Sequence, residues 1–344
     1  MIWQTAQVIQ QTANTITIIF DTQGEPFSYK PGQFIQLTLT INGAPVTRSY
    51  SLSVVPGGHP AITVKRVPGG VMSNYILDHA RQIRQWQVAG PHGTFTPTAV
   101  TYQARHVVLL AGGSGITPLY TIACSLLAEA PDTRITIIYA SRSTDEIIFS
   151  KELDALQASY PQRLHVFHAL SAATGVSAPG HLKGRLSKLV TRKLIQQAVT
   201  NPLDQVHYFI CGPEGLMTMH QEMLTALQVA PDHIFMEWFT PGATSNDIVL
   251  PHETQEVLLH FFEQTNLLDV DAGQTILQAA LDDRIPLPYS CRGGTCGICL
   301  AKLTSGQVTM RQNYALRPSD IADGMILLCQ SYPLTADVTV VVGE

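Results

Sequence analysis

Four cysteines constrain this chain more than any other feature. Cys291, Cys296 and Cys299 follow a C-x4-C-x2-C spacing, with Cys329 further along, and this is the ligand spacing of a plant-type 2Fe-2S centre. Three thiolates that curl round one small inorganic core need tight turns and backbone amides aimed at sulfur. Gly293, Gly294 and Gly297 within the loop permit such turns, because glycine accepts positive φ and brings no Cβ against the core. Cys329, in Leu-Leu-Cys-Gln, would approach from a separate strand and close the site. A four-cysteine zinc site more often shows two close C-x2-C pairs. A disulfide framework suits short secreted chains, not one of 344 residues without a secretory signal. The spacing therefore points to a chain that moves single electrons.

Length and charge narrow the rest. A chain of 344 residues with 45% hydrophobic and 14% charged residues is expected to hold two or three globular domains. A net charge of -5 leaves no basic footprint for nucleic acid or anionic lipid. No stretch of about 18 apolar residues is present, so no membrane span is expected and a cytoplasmic location follows. Cys124 and Cys211 remain outside the proposed cluster, as free thiols suited to a reducing compartment.

Three textures succeed one another along the chain. Residues 1–102 alternate in short strands, including 15–20, 33–39 and 61–65, which predicts a small antiparallel β-barrel. Residues 103–239 alternate apolar strands (106–111, 134–139, 164–169 and 206–210) with helical stretches, the pattern of a parallel α/β sheet. Residues 240–252 are rich in turn formers and read as a linker. Residues 253–344 then carry a strand at 254–262, a short helix at 275–281 and the cysteine loop, which predicts an α+β domain.

Two elements in the first domain suit a flavin. Arg48-Ser49-Tyr50-Ser51 at a strand end supplies a guanidinium for phosphate, an aromatic face for stacking and a hydroxyl for a ring nitrogen. Gly69, Gly70, Val71, Met72 and Ser73 open a helix whose amides can meet a pyrophosphate. The same Arg-x-Tyr-Ser run is also compatible with an ordinary edge strand. In the second domain, the glycine-rich 111–118 turn joins a buried strand to a helix, with Thr117 as expected N-cap and Pro118 as first helical residue. It is not the Gly-x-Gly-x-x-Gly fingerprint. Gly113, Thr117 and Pro118 on this turn could seat a dinucleotide phosphate, and Cys211-Gly212-Pro213-Glu214 after a later strand supplies the second half of the coenzyme site, with Cys211 as a nicotinamide neighbour. Cys211 also fits the description of a small buried hydrophobe. Ser141 and Arg142 stand at a strand tip where an acidic residue would favour the bare ribose, and this leans toward NADPH over NADH, although Arg142 also fits an ordinary solvated surface arginine. His165 and His168 form the sole His-x-x-His. On a strand their odd spacing sends the rings to opposite faces.

These stretches resemble the ferredoxin-NADP reductase superfamily. With the cluster domain last, the chain is similar to the oxygenase reductases, the phenylacetyl-CoA epoxidase reductase family foremost. The likeness covers nearly all of the chain. Besides the motifs above it rests on the runs at 160–164, 313–316, 327–331 and 333–337. It implies a β-grasp fold for the cluster domain and FAD as the flavin. Arg48 would bind its pyrophosphate, Tyr50 would pack on the isoalloxazine, Ser51 would reach N5 and Ser73 would cap the phosphates. It also implies Gly113, Thr117, Cys211 and Glu214 around the nicotinamide, and Ser51, Cys211 and Glu237 at the chemistry. The family's Glu-Arg-Phe segment is here Glu237-Trp238-Phe239, and either ring, or neither, faces the flavin.

The reaction follows from electron counting. NAD(P)H gives a hydride, a 2Fe-2S centre takes one electron at a time, and a flavin mediates between them. No Glu-x-x-His pair of a di-iron site is present, so the acceptor is expected to be a separate oxygenase or hydroxylase polypeptide. A reductase for a fatty-acid desaturase or membrane hydroxylase would need the same cofactors. A redox sensor without turnover is the reading from a different class.

Overall fold

The computed structural model describes residues 1–172, 180–202, 205–239 and 250–343. Met1–Glu237 forms one compact unit and the chain from Trp238 onward a second. Most of the linker expected at 240–252, namely 240–249, lies outside the described residues.

The first unit begins with six antiparallel strands and one helix. These are β1 (Ile2–Thr12), β2 (Thr15–Asp21), β3 (Phe34–Ile41), β4 (Ala44–Ser51), β5 (Ala61–Lys65), α1 (Val71–His79) and β6 (Trp86–His92). The strand order is β4-β3-β6-β1-β2-β5. The sheet curls until Leu52, just after β4, bridges Ile62 of β5, which closes an edge that would otherwise stay open for pairing. Alternation drives the curl. Ile35, Leu37, Leu39 and Ile41 of β3, with Ile16, Ile18 and Phe20 of β2, converge on the fully buried Trp3 and Trp86. Removing each such side chain from water contributes about 1.5–3 kcal/mol. The buried hydroxyls opposite satisfy one another, Thr17 with Thr63 at 2.8 Å and Ser53 with Thr63 at 2.9 Å. Strand β1 carries little apolar alternation and is placed by its partners, β2 along most of its length and β6 at Ile2 and Trp3.

A parallel sheet follows in the same unit. Its elements are β7 (His106–Gly112), α2 (Ile116–Glu129), β8 (Arg134–Ser141), α3 (Ser150–Ser159), β9 (Leu164–Leu170), β10 (His181–Lys183), α4 (Lys188–Ala198), β11 (Val206–Cys211), α5 (Glu214–Ala226) and β12 (Ile234–Glu237). The order β10-β9-β8-β7-β11-β12 places the reversal of strand order between β7 and β11. Every residue of these two strands is buried, as expected where a sheet is covered on both faces. His165 is exposed and His168 buried, so the two rings do fall on opposite faces of β9.

Several contacts join barrel and sheet, three of them close to the strands. The Gly32 amide donates to the Thr121 hydroxyl at 3.0 Å, Phe95 packs edge-on to Phe209 at 5.4 Å, and a His207 ring nitrogen meets the Thr101 hydroxyl at 3.2 Å.

The second unit contains β13 (Gln255–Phe261), β14 (Gln264–Val270), α6 (Ile276–Asp282), β15 (Leu300–Ser305), β16 (Val308–Met310), α7 (Pro318–Ala322), β17 (Met325–Leu327), β18 (Ser331–Pro333) and β19 (Val338–Val342). Five strands form a mixed sheet in the order β14-β13-β19-β15-β17, with β13 parallel to β19, and β16 pairs with β18. Thr275 caps α6 by accepting from the Gln278 amide at 3.2 Å. Val257, Leu259, Ile276, Ala280, Leu327 and Val340 centre a core of its own. Among the described residues no helix is long and apolar enough to cross a membrane.

The turns after β7 and β11 touch. A Cβ on Gly115 would overlap the carbonyl of Cys211, and one on Gly212 would lie 3.0 Å from the Cα of Gly112. Gly115→Ala is therefore expected to cost about 1–3 kcal/mol of stability. Gly215→Ala, in open space on α5, should hold or raise it. Equal thermal midpoints for the two variants would mean that the turns are not pressed together.

Candidate functional site

On β4 successive side chains point to opposite faces, so Arg48 and Tyr50 share one face and Ser49 and Ser51 the other. Pairing with β3 sets Tyr50 opposite Ile35 and Arg48 opposite Leu37. Arg48 and Ser49 are exposed, and the Arg48 guanidinium donates to the Thr47 carbonyl at 2.7 Å. Burial, partly offset by the Arg48 charge, holds the Tyr50 phenol well above its ordinary range, so it stays protonated.

Between β5 and α1 the chain turns through Gly69 at φ +71°. Gly70 is the N-cap of α1 and no side chain caps the helix, so an anion would meet the amides of Val71, Met72 and Ser73 there. A Cβ on Gly70 would fall 2.6 Å from the Ser73 hydroxyl, and that hydroxyl accepts from the Val67 amide at 3.2 Å. Asn74 braces the turn from inside the helix. Its amide donates to the Gly70 carbonyl at 2.6 Å, while its oxygen accepts from Arg66, itself paired with Asp78 at 2.6 Å. Arg66 and Asn74 escape a sequence reading because nothing in their spacing distinguishes them from surface residues.

The second turn corrects one expectation. Residues Gly113–Gly115 form a 3-10 turn that runs directly into α2 at Ile116, with Gly115 as N-cap. Thr117 is thus the second helical residue and not the N-cap, and Pro118 is the third. The reason is local: the Thr117 hydroxyl donates back to the Ser114 carbonyl at 2.9 Å, which tightens the preceding turn. Pro118 still fits, since first-turn positions need no amide. Gly113 takes φ +53°, and its carbonyl accepts from the Tyr139 hydroxyl at 2.9 Å. Pro213 caps α5, and Glu214 stands exposed in its first turn, favourably placed against the positive helix end. Both turns lie at the carboxyl edge of the sheet beside the reversal of strand order, where open α/β sheets bind ligands.

Ser51, Cys211 and Glu237, far apart in sequence, come together at this edge. Cys211 and Glu237 are register neighbours on β11 and β12, and the Ser51 hydroxyl donates to the Glu237 carboxylate at 3.3 Å. Burial pushes the Glu237 carboxyl up to about 8, with the Ser51 hydrogen bond acting in the opposite sense. Burial, reinforced by the Glu237 charge, likewise raises the fully buried Cys211 thiol well above its ordinary value. Cys211 is therefore a neutral wall of the site and Glu237 a group able to hold or release a proton near neutrality.

At the tip of β8, Ser141 is buried and the Arg142 side chain is 77% exposed. Arg142 faces Glu146 at 3.8 Å, and Lys65 reaches the same carboxylate at 3.4 Å. Nothing in the sequence singles out Lys65 and Glu146, because their meeting depends on the packing of barrel against sheet.

In the second unit Cys291, Cys296 and Cys299 lie on the loop before β15, and Cys329 lies between β17 and β18. The Cys291 sulfur neighbours those of Cys296 and Cys329, and the Cys299 sulfur neighbours that of Cys329. Those contacts, with the Gly293 amide, hold the Cys291 thiol well below its ordinary range against the opposing effect of burial. The Gly293 and Thr295 amides each approach the Cys291 sulfur at 3.4 Å. Gly294 and Gly297 both have positive φ, and the Gln330 amide ties Cys329 to the Arg292 carbonyl at 2.8 Å. Four convergent cysteine sulfurs, with amides aimed at that of Cys291, are the donor set a 2Fe-2S core requires. Among the described residues no set of three or more His, Cys, Asp or Glu is placed to hold a single metal ion. Trp238 packs on Tyr314 at 4.9 Å and Phe239 is exposed.

Comparison with known proteins matches each region to a family. Residues 4–96 match the oxidoreductase FAD-binding domain, 109–222 the oxidoreductase NAD-binding domain, and 261–334, which include all four cluster cysteines, the 2Fe-2S iron-sulfur cluster binding domain. A component of the 1,2-phenylacetyl-CoA epoxidase of Escherichia coli K12 is 32% identical over 97% of this chain and 95% of its own length. The ferredoxin reductase component of 3-ketosteroid-9-alpha-monooxygenase from Mycolicibacterium smegmatis is 32% identical over 99% and 96%. An intact type IV self-sufficient cytochrome P450 monooxygenase shares the fold with a TM-score of 0.75 at 23% identity, over 98% of this chain and 40% of that one.

Glu237 makes stability depend on pH. A carboxyl whose folded value lies above its unfolded value stabilises while protonated, and that contribution is lost as pH rises. Here the loss runs from about 4.5 to about 8. Thermal unfolding of the wild type should weaken over this interval, and Glu237→Gln should flatten the slope. A variant with an unchanged slope would place the titration elsewhere.

Proposed function

This chain belongs to the family of ferredoxin reductase components of oxygenases, and on that premise we propose how its own residues take electrons from NAD(P)H and pass them to a separate oxygenase. Bound together, a flavin and a 2Fe-2S centre convert one hydride into two single electrons. The observation that carries the reading is the meeting of Ser51 of the barrel with Glu237 and Cys211 of the sheet at the ligand edge.

Arg48 and the amides at the start of α1 hold the FAD pyrophosphate, while Tyr50 packs on the ring system. Ser73 shapes the phosphate turn through its Val67 contact. The Gly113–Gly115 turn, with Thr117 and Pro118 behind it, receives the coenzyme phosphates. Gly212, Pro213 and Glu214 border the nicotinamide. Cys211 presents an uncharged surface that excludes water, and Ser51 with Glu237 holds a proton beside the reacting ring. Ser141 and Arg142 meet the adenosine end, where Arg142 supports use of NADPH. The four cysteines hold the cluster, with Gln330 fixing the last of them.

The match to the epoxidase component supports the oxygenase of a phenylacetyl-CoA epoxidase as the acceptor to test first. We also place the protein in the cytoplasm, where the free thiols Cys124 and Cys211 suit a reducing milieu. Residues 1–102, 103–239 and 253–344 are the proposed flavin, nicotinamide and cluster domains.

Anaerobic titration with NADPH and NADH followed by EPR tests the whole reading, because it reports hydride donor, flavin and iron together. Cys296→Ser should remove the cluster signal while the flavin is still bleached by coenzyme. Loss of both signals would refute independent sites. Arg48→Ala should purify with its flavin largely depleted, and a fully loaded variant would remove Arg48 from the cradle.

A further inference from the structure

Lys65 ends β5 of the barrel, and its ammonium is the atom nearest a Cβ placed on Gly113, at 3.8 Å. Arg142 follows β8, the strand beside β7, where open α/β sheets meet the adenosine ribose. Glu146 stands between these cations, one carboxylate oxygen 3.4 Å from Lys65 and the other 3.8 Å from Arg142. Among the described residues, Lys65 with Glu146 is the only ion pair that joins barrel to sheet.

An isolated exposed ion pair contributes little. This carboxylate differs because it is shared by cations arriving from two sheets, and the Lys65 and Glu146 side chains are only 28% and 30% exposed. A carboxylate near a strand tip accepts a hydrogen bond from a ribose 2′-hydroxyl and repels a 2′-phosphate, while an arginine does the reverse. Here both kinds of group occupy one place.

Building on the coenzyme site proposed above, we infer that Glu146 is the residue that sets coenzyme preference, by engaging Lys65 and Arg142 and so withholding them from a 2′-phosphate. Arg142 favours NADPH and Glu146 opposes it, so the balance of the two determines the ratio. Glu146 lies in a short turn over Thr144–Glu146 and is itself only half-buried.

The test uses the adenosine half of each coenzyme as probe, with 2′,5′-ADP and 5′-AMP titrated calorimetrically into the holoprotein. Glu146→Gln should tighten 2′,5′-ADP about tenfold, as expected when one negative charge leaves the neighbourhood of a dianion in water, and should leave 5′-AMP unchanged. The ratio of kcat/KM for NADPH over NADH should rise by the same factor. Glu146→Asp should return the ratio toward wild type, and Arg142→Ala should lower 2′,5′-ADP affinity alone. If Glu146→Gln shifts both nucleotides equally, or neither, the inference is overturned while the coenzyme site stands. If neither nucleotide binds the wild type, the coenzyme site falls and the inference with it.

Discussion

The close approach of two glycine turns at the carboxyl edge of the parallel sheet underlies the rest of the first unit. Gly115 lies against the Cys211 carbonyl and Gly212 against Gly112, so no side chain can enter between β7 and β11. Backbone meets backbone where the strand order reverses, with the Pro213 and Leu216 side chains against Gly112 and the Lys65 ammonium near Gly113. That is the surface an anionic dinucleotide needs, because amides approach phosphate more closely than any side chain would allow. Parallel pairing of β11 with β12 ends at this same edge and sets Cys211 beside Glu237. Barrel packing then brings Ser51 within reach of that carboxylate.

Burial acts in contrasting ways at the two chemical sites. At Glu237 and Cys211 it favours the neutral forms, as expected where charge is removed from water without a cationic partner. At Cys291 hydrogen bonds from the neighbouring cysteines outweigh burial and favour the thiolate, while the Cys296 and Cys329 thiols that share those contacts are shifted up. A carboxyl held near neutrality suits a site where a proton accompanies a hydride. A ligand sulfur for iron must instead be deprotonated.

The modular build has a simple physical basis. The second unit has its own sheet and its own core around Val257, Ile276 and Leu327, so the cluster loop is supported without the first unit's core. The first unit, by contrast, combines two sheets through contacts such as Gly32 with Thr121 and Phe95 with Phe209. Its site is shared between them. Similarity to relatives runs along nearly the whole chain and nearly their whole length.

Wherever chemistry is carried by short-range spacing, it is legible in the sequence. Cysteine spacing announces the cluster loop. The apolar runs of β7, β8 and β11 announce the parallel sheet, because strands buried on both faces need largely apolar side chains. Strand β1 is not legible, since its exposed residues carry no alternation and only pairing places it. The start of α2 differs from the expectation at Thr117 because a 3-10 turn and a helix share the same residue preferences there. Arg66, Asn74, Lys65 and Glu146 are invisible for another reason: each acquires its partner through folding. Local sequence thus determined which cofactor chemistries this chain can hold. Tertiary packing alone decided which distant groups share a site, because the separation of Ser51 from Glu237, or of Lys65 from Glu146, along the chain carries no record of their distance in space.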